Sequence, residues 1–219
     1  MRTLNSFAAT LLVIVSRAAA PLAATSMLAP DAAAQGDPAR GQTAYAVCAA
    51  CHGTQAEGNK DLNAPRLAGQ NAADLVRQID NFKKGARGYD PADAVSAAMK
   101  PIVQALAGPA IDDIVAYVAT LNPPAPTPTV AGDATAGAIS YAICGACHGA
   151  KGEGNPTLNG PRLAGQHDWY IVRQIQSFKN GMRGKGPGDV FGPQMAPMAL
   201  TLTNDAAISN VAAYISTLK

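Results

Sequence analysis

The same pattern of residues occurs twice along the chain, and this repeat limits the possible folds more than any other feature. Residues 48–53 (CAACHG) recur as residues 144–149 (CGACHG), and residues 65–70 (PRLAGQ) recur as residues 161–166 at a constant offset of 96. The register continues through residues 77–79 and 173–175, which both read RQI, to Met99 and Met195. A chain of 219 residues with such a repeat encodes two copies of one small domain.

The segment between the two copies is rich in proline. Residues 122–129 read NPPAPTPT, a composition that favours an extended, semi-rigid spacer. We therefore predict a first domain at residues 35–122, a Pro-rich linker at 123–130 and a second domain at 131–219.

Each copy has the pattern of an all-α domain, without a convincing alternating strand. Asp37 followed by proline predicts a helix start, and Asn71 can cap a second helix that Gly85 would end, as Gly181 would in the second copy. The last helix of each copy carries an apolar stripe at helical spacing. These stripes are Ile111, Ile114, Val115, Val118 and Leu121, and Ile208, Val211, Ile215 and Leu218.

The N-terminus has the layout of a secretory signal peptide. Arg2 precedes the apolar residues 7–15, and an alanine-rich tract follows that ends with AAA at residues 32–34. We predict a signal peptide at residues 1–34 and a periplasmic mature protein. A permanent anchor is the weaker alternative, because Arg17 interrupts the apolar run well short of the ~20 residues that a spanning helix needs.

Charge and aromatic content narrow the function further. The net charge is +2 and no Lys/Arg-rich run occurs, which argues against nucleic-acid binding. Aromatic residues make up only 5% of the chain, so two small domains would have little bulky material for their cores. We therefore expect another group to complete each core.

All four cysteines lie in Cys-x-x-Cys-His motifs, the attachment signature of c-type haem. We expect covalent haem at Cys48 and Cys51 and at Cys144 and Cys147. Two alternatives compete with this interpretation. A structural zinc site needs four ligands where each motif offers three, and a thioredoxin-like pair expects a strand–helix context that is absent from the pattern.

The adjacent histidines, His52 and His148, are the expected proximal iron ligands. The chain has one further histidine, His167, so bis-histidine ligation of both irons is impossible. In the first copy Met99 is the only methionine, and the repeat register selects Met195 over Met182 and Met198. We predict Met99 and Met195, each on a loop before the last helix, as the sixth ligands, against the usual role of methionine as core filler.

With these motifs the chain resembles the class I dihaem cytochromes c of the cytochrome c4 type and the haem subunits of flavocytochrome c. The resemblance implies two tandem class I cytochrome c domains that pack with their haem propionates close together. It also implies that the carbonyls of Pro65 and Pro161 accept the Nδ1 protons of His52 and His148. Six arginines are candidate propionate neighbours: Arg66, Arg77, Arg87, Arg162, Arg173 and Arg183.

The expected function is single-electron transfer without bond chemistry at either haem. The expected partners are an upstream quinol oxidoreductase or dehydrogenase and a downstream terminal oxidase, with membrane association only through those partners. One alternative is a haem subunit bound to a periplasmic dehydrogenase, such as a sulfide-oxidising flavoprotein. Another is a haem enzyme, such as a peroxidase or thiosulfate dehydrogenase. Such enzymes typically use an open catalytic haem with histidine or cysteine ligation, and the histidines and cysteines of this chain leave few ligands for one.

Overall fold

The computed structural model describes residues 36–219, and every structural statement below concerns that part of the chain. The signal peptide predicted over residues 1–34 lies outside the described residues. The first copy contains α1 Pro38–Ala44, α2 Ala46–His52, α3 Ala72–Lys83, α4 Ala94–Ala97, α5 Met99–Gln104 and α6 Gly108–Val118. The second copy contains α7 Ala134–His148, α8 Asp168–Lys179, α9 Met195–Leu200 and α10 Asp205–Ile215, with 3-10 turns at Pro156–Leu158 and Gly192–Gln194.

The all-α prediction is confirmed. Over residues 36–219 there is no β-strand, and extended pairing is limited to two isolated bridges, Asn59 with Ala64 and Asn155 with Gly160. These bridges stand at equivalent places in the two copies, where each closes a tight loop after the Cys-x-x-Cys-His helix. The long Gly- and Pro-rich loops are therefore held by local backbone pairing.

The predicted helix ends are largely confirmed. The Asp37 carboxylate accepts from the backbone N of Ala39 at 2.8 Å, and Asp133 caps α7 in the same way. Gly85 and Gly181 both follow their helices with φ +74°, a left-handed conformation that glycine adopts without steric cost. Asn71 occupies the N-cap position of α3, but its side chain makes no capping bond.

The two copies differ at their first helix. The pattern predicts one segment that runs into Cys48, whereas the structure divides it into α1 and α2 at Tyr45. There the Tyr45 carbonyl accepts from both Cys48 and Ala49, at 2.8 and 3.0 Å, which tightens the turn. In the second copy the equivalent helix α7 is continuous to His148.

The core of each copy lies where its first helix crosses its last. A Cβ added at Gly41 would lie 1.9 Å from the Asp113 carbonyl oxygen, and one at Gly137 would lie 1.9 Å from that of Asn210. Glycine is therefore required at both crossings, because any side chain would separate the helices. The predicted stripes are buried at Ile111, Ile114, Val115 and Val118, and at Ile208, Val211 and Ile215. The last member of each stripe, Leu121 or Leu218, lies beyond the end of its helix and is only partly buried.

The proline-rich segment is fixed to both copies. Residues 121–133 form no helix, and the Arg66 guanidinium donates to the carbonyls of Pro123 and Pro124 at 2.9 and 2.6 Å. At the other end the Asp168 carboxylate accepts from the backbone N of Thr129 and Val130 at 2.5 and 2.7 Å. The segment is thus held to the first copy at its start and to the second copy at its end.

No single helix in residues 36–219 has the length and hydropathy to cross a membrane. The segments Ala94–Gln104 and Gly108–Val118 reach those values only when taken together, and they are bent by 115° at their break.

Candidate haem sites

Each Cys-x-x-Cys-His motif forms the end of a helix. α2 ends at His52 and α7 at His148, and the next residue in each case is a glycine with positive φ. The two cysteines of a motif are three residues apart, so both thiols lie on one helical turn. All four described cysteines are free of disulfides, and burial raises the pKa of the Cys48 thiol to about 11.

A backbone carbonyl fixes each histidine ring. His52 Nδ1 lies 2.8 Å from the Pro65 carbonyl oxygen, and His148 Nδ1 lies 2.9 Å from that of Pro161. A carbonyl can only accept, so each Nδ1 carries the proton and each Nε2 keeps its lone pair for a metal. Burial lowers the pKa of both histidines, which keeps the rings neutral. These contacts are the ones that the resemblance implies.

A single continuous cavity borders both motifs, and apolar side chains form most of its wall. Its wall in the first copy includes Leu75, Ile79, Phe82, Met99 and Ile102, and in the second copy Ile171, Ile175, Phe178, Met195 and Met198. The cysteines, His52 and His148 face the same cavity. The structure therefore brings each motif together with its predicted methionine around one space. Met182 is not part of that wall.

Both methionines begin short helices, so their prediction on loops is wrong. Met99 is the first residue of α5 and Met195 the first of α9. Pro101 and Pro197 are the third residues of these helices, where the missing backbone N–H is not needed for an intrahelical bond. The Met-x-Pro pattern is thus a helix start, and it holds each methionine on a regular element.

Two arginines and two glutamines form a nearly symmetric group, the arginine–glutamine cluster, between the copies. Arg87 donates to Gln78 at 2.8 Å and, across the boundary, to Gln174 at 3.1 Å. Arg183 donates to Gln174 at 2.5 Å and, across the boundary, to Gln78 at 2.9 Å. Each guanidinium also lies over a phenylalanine ring of its own copy, Phe82 or Phe178, at 4.5 and 4.6 Å.

This cluster is electropositive and incompletely paired. No carboxylate in the described residues accepts from Arg87 or Arg183, and Arg87 Nε and Gln174 Nε2 lack a hydrogen-bond partner there. Burial and the neighbouring Arg87 lower the pKa of Arg183 to about 10. Burial opposes ionisation of Tyr170, yet the two guanidiniums lower its pKa overall. The cluster is therefore suited to an anion.

A second pair of arginines reaches across to the opposite copy. Arg77 donates to the Asn159 side chain at 2.9 Å and to its carbonyl at 3.0 Å, and it pairs with Asp74 of its own helix. Arg173 donates to the Asn63 carbonyl at 3.3 Å and pairs with Asp93 at 3.4 Å. Both arginines line the cavity.

The six arginines expected near the haem carboxylates thus separate into two groups. Arg77, Arg87, Arg173 and Arg183 face the cavity and the boundary between the copies. Arg66 and Arg162 also reach the cavity wall, but their guanidiniums donate to backbone carbonyls, of Ala68, Pro123 and Pro124 for Arg66 and of Ala164 for Arg162.

Sequence reasoning missed the residues that join the copies. The Gln166 side chain accepts from the Arg66 N at 3.1 Å and donates to the Arg66 carbonyl at 2.8 Å. His167 Nε2 donates to the Glu57 carbonyl at 2.7 Å, so this histidine is a contact between the copies. The occurrence of Gln78 and Gln174 at the same repeat position was the available signal for the arginine–glutamine cluster.

The arrangement fits two haem groups better than the alternatives. Each motif offers two free thiols on one helical turn, a neutral imidazole with an available Nε2 and an apolar wall. The buried guanidiniums suit the carboxylates that haem carries. In residues 36–219 no group of three or more His, Cys, Asp and Glu side chains is arranged to hold a metal ion.

The cytochrome c family model matches residues 38–122 and 134–219. The chain belongs to the cytochrome c family, as a dihaem protein of the cytochrome c4 type. It is 34% identical over 186 residues to cytochrome c4 of Pseudomonas aeruginosa PAO1, covering 81% of this chain and 88% of that protein. The cytochrome is thus similar to this relative over most of both chains.

Two further relatives refine this placement of the cytochrome. The crystal structure of reduced recombinant cytochrome c4 from Pseudomonas stutzeri superimposes with a TM-score of 0.68 at 28% identity, covering 84% of this chain and all of that one. A thiosulfate dehydrogenase electron acceptor of Stutzerimonas stutzeri A1501 is 33% identical over 159 residues, covering 67% of this chain and 69% of that protein. The cytochrome therefore has two tandem cytochrome c domains, two covalently bound haem c groups and an electron-transfer function.

Proposed function

We propose that His52 and Met99 ligate the first iron and that His148 and Met195 ligate the second. The observation that carries this proposal is the repeated set of a carbonyl-fixed imidazole and a methionine on the wall of the same cavity. Haem c supplies reversible one-electron chemistry at its iron, and a methionine ligand raises its potential. Cys48 and Cys51 bind the first haem covalently, and Cys144 and Cys147 bind the second.

The chain's own residues support outer-sphere electron transfer. The Pro65 and Pro161 carbonyls hold the imidazoles in one tautomer and orientation. Phe82 and Phe178, which are both buried, exclude water from the two sites. The contacts between Arg77, Arg173 and the opposite copy fix the distance between the sites. A rigid, dry environment that changes little with redox state favours fast electron transfer.

We propose further that the signal peptide at residues 1–34 exports the protein to the periplasm. There the domains at 35–122 and 131–219, joined by the linker at 123–130, carry electrons from a quinol oxidoreductase or dehydrogenase to a terminal oxidase. The similarity to cytochrome c4 and the mild net charge suit transient docking to more than one partner.

A second candidate function is supported by one comparison. A relative named thiosulfate dehydrogenase electron acceptor is similar to this chain over two thirds of its length. In that role the protein would receive electrons from a periplasmic sulfur-oxidising dehydrogenase as its dedicated acceptor. The dehydrogenase would carry out the bond chemistry, and this chain would not.

Replacement of each methionine tests the ligation. Met99→Ala or Met195→Ala should lower the potential of one haem and let it bind carbon monoxide, while the other haem keeps its wild-type behaviour. Met182→Ala is the matched control, because Met182 does not line the cavity. Unchanged spectra and potentials in either ligand variant would remove that methionine from the assignment.

Stopped-flow reduction tests the two candidate partners. The oxidised protein is mixed with a purified quinol oxidoreductase plus quinol, or with a thiosulfate dehydrogenase plus thiosulfate. Fast reduction in the first mixture only supports the respiratory carrier. Fast reduction in the second only supports the dedicated acceptor, and slow reduction in both would refute the partner classes proposed here.

A further inference from the structure

One lysine in each copy bonds to the segment that follows the methionine helix. Lys83 is the last residue of α3, and its Nζ donates to the Leu106 carbonyl at 2.7 Å. Lys179 is the last residue of α8, and its Nζ donates to the Leu202 carbonyl. Both ends of this bond occupy equivalent positions in the repeat, so the contact is a property of each domain.

The accepting carbonyl lies just beyond the methionine helix. α5 begins at Met99 and ends at Gln104, and Leu106 follows in the turn that leads to α6. Leu202 has the same place between α9 and α10. The lysine therefore holds the end of each short helix that is opposite to its methionine.

The lysine is the donor that each of these carbonyls has among the described residues. No backbone N–H in residues 36–219 donates to the carbonyl of Leu106 or Leu202. Neither Lys83 nor Lys179 pairs with a carboxylate in the same part of the chain. A cation at a helix C-terminus stabilises the carbonyls that lack an intrahelical partner. The ammonium is thus committed to joining two helix ends.

The two helices that the lysine joins belong to the wall of one cavity. α3 contributes Leu75, Ile79 and Phe82 to that wall, and α5 contributes Met99 and Ile102. Because the haem has to fit between these side chains, a movement of α5 away from α3 would also carry the methionine away from the iron. α8 and α9 have the same relation in the second copy.

We propose that Lys83 and Lys179 are positioning residues for the sixth iron ligands. Each lysine holds its methionine helix against the neighbouring helix and thereby keeps Met99 or Met195 on the iron. The inference rests on the proposed ligation by these methionines. Without the lysine, the carbonyl loses a charged donor, and the open form, in which the methionine is off the iron, becomes about tenfold more populated.

Imidazole binding to the oxidised holoprotein measures how often each methionine leaves its iron. Added imidazole binds only the open form, so its apparent affinity rises in proportion to the open fraction. The weak far-red absorption band of the methionine–iron bond reports the exchange. In Lys83→Gln the part of this band that comes from the first haem should disappear at about tenfold lower imidazole concentration than in the unmodified protein.

Lys179→Gln should have the same effect on the part of the band that comes from the second haem. The double variant should lose the whole band at the lower concentration. Glutamine removes the charge, and its shorter side chain falls short of the carbonyl. If one single variant does not take up two haems, the other decides the question, because both test the same contact.

Lys84→Gln is the matched control, because it removes the same charge from the adjacent residue. The Lys84 side chain is 72% exposed and pairs with Asp80 at 3.9 Å, so the affinity for imidazole should stay unchanged. Lys83→Arg should restore the affinity of the unmodified protein, because a guanidinium can donate to the same carbonyl. A purely structural role of Lys83 would lower the melting temperature of Lys83→Gln without changing its affinity for imidazole.

The outcomes separate the inference from the ligation. If the unmodified protein shows the far-red band and both Lys83→Gln and Lys179→Gln bind imidazole as it does, the positioning role alone is overturned. An equal gain of affinity in Lys84→Gln, or a Lys83→Arg variant that behaves like Lys83→Gln, would also overturn it. Absence of the far-red band from the unmodified protein would overturn the ligation itself.

Discussion

Gly137→Ala should destabilise the second domain strongly, because α7 and α10 touch at this residue. The added Cβ would lie 1.9 Å from the Asn210 carbonyl oxygen and 2.9 Å from the Tyr214 Cβ. The nearest atom belongs to backbone and cannot rotate away, so the helices must separate by more than 1 Å. Overpacking of this kind costs about 3 kcal/mol, at the upper end of the usual range. For a domain of this size the melting temperature should fall by roughly 12–24 °C.

Gly145→Ala supplies the matched control on the same helix. A Cβ there would first meet atoms at 3.5 Å, and the first copy carries alanine at the equivalent position, Ala49. This variant should be neutral or stabilise the helix by up to about 1 kcal/mol. Calorimetry of the holoprotein, with hydrogen exchange to locate the change, distinguishes the two. If Gly137→Ala melts within 2 °C of Gly145→Ala, the close crossing of α7 and α10 is refuted.

Three further changes probe the contacts that hold the copies together and the sites rigid. Gln166→Ala removes both hydrogen bonds to the Arg66 backbone and should lower the free energy of unfolding by about 1–3 kcal/mol in urea titrations. An unchanged free energy of unfolding would mean that water replaces these two hydrogen bonds. Asp168 is buried, which opposes its ionisation, but the N–H groups of Val130 and Thr129 lower its pKa overall. The ionised Asp168 carboxylate therefore stabilises the fold above its unfolded pKa of about 3.9, and this stabilisation is lost as the pH falls through the lower folded pKa. Asp168→Asn should make the free energy of unfolding less dependent on pH in this acidic range. Tyr141→Phe leaves the Gly149 carbonyl without its 2.8 Å hydroxyl partner and should cost about 1 kcal/mol in the same titration.

The sequence predicts the local structure of each copy because the signals there are local. Proline after Asp37, the terminating Gly85 and the stripe on α6 each act within a few residues. The repeat doubles every such signal and also selects Met99 and Met195 from the methionines. The resemblance correctly implies the carbonyl contacts of His52 and His148.

The contacts between the copies could not be predicted in the same way. The bonds between Gln166 and Arg66 and between His167 and Glu57 join residues far apart in sequence, and a single sequence does not show which polar residues meet. The sequence predicts a loop at Met99, whereas the structure places Met99 at the start of α5. Proline is tolerated in the first turn of a helix, so the Met-x-Pro pattern alone does not distinguish a helix start from a loop. Arg66 also looked like a partner for a haem carboxylate, whereas its guanidinium binds backbone carbonyls of the linker.

The optical spectrum of the purified mature protein tests the central claim most directly. Haem is counted per chain, and the oxidised and reduced spectra are recorded before and after carbon monoxide is added to the reduced form. Two haems per chain, both low-spin, with the weak far-red methionine-to-iron band and no carbon monoxide shift, are the predicted result. A single haem, or a high-spin haem that binds carbon monoxide, would contradict ligation by Met99 and Met195 and would indicate an open, reactive site.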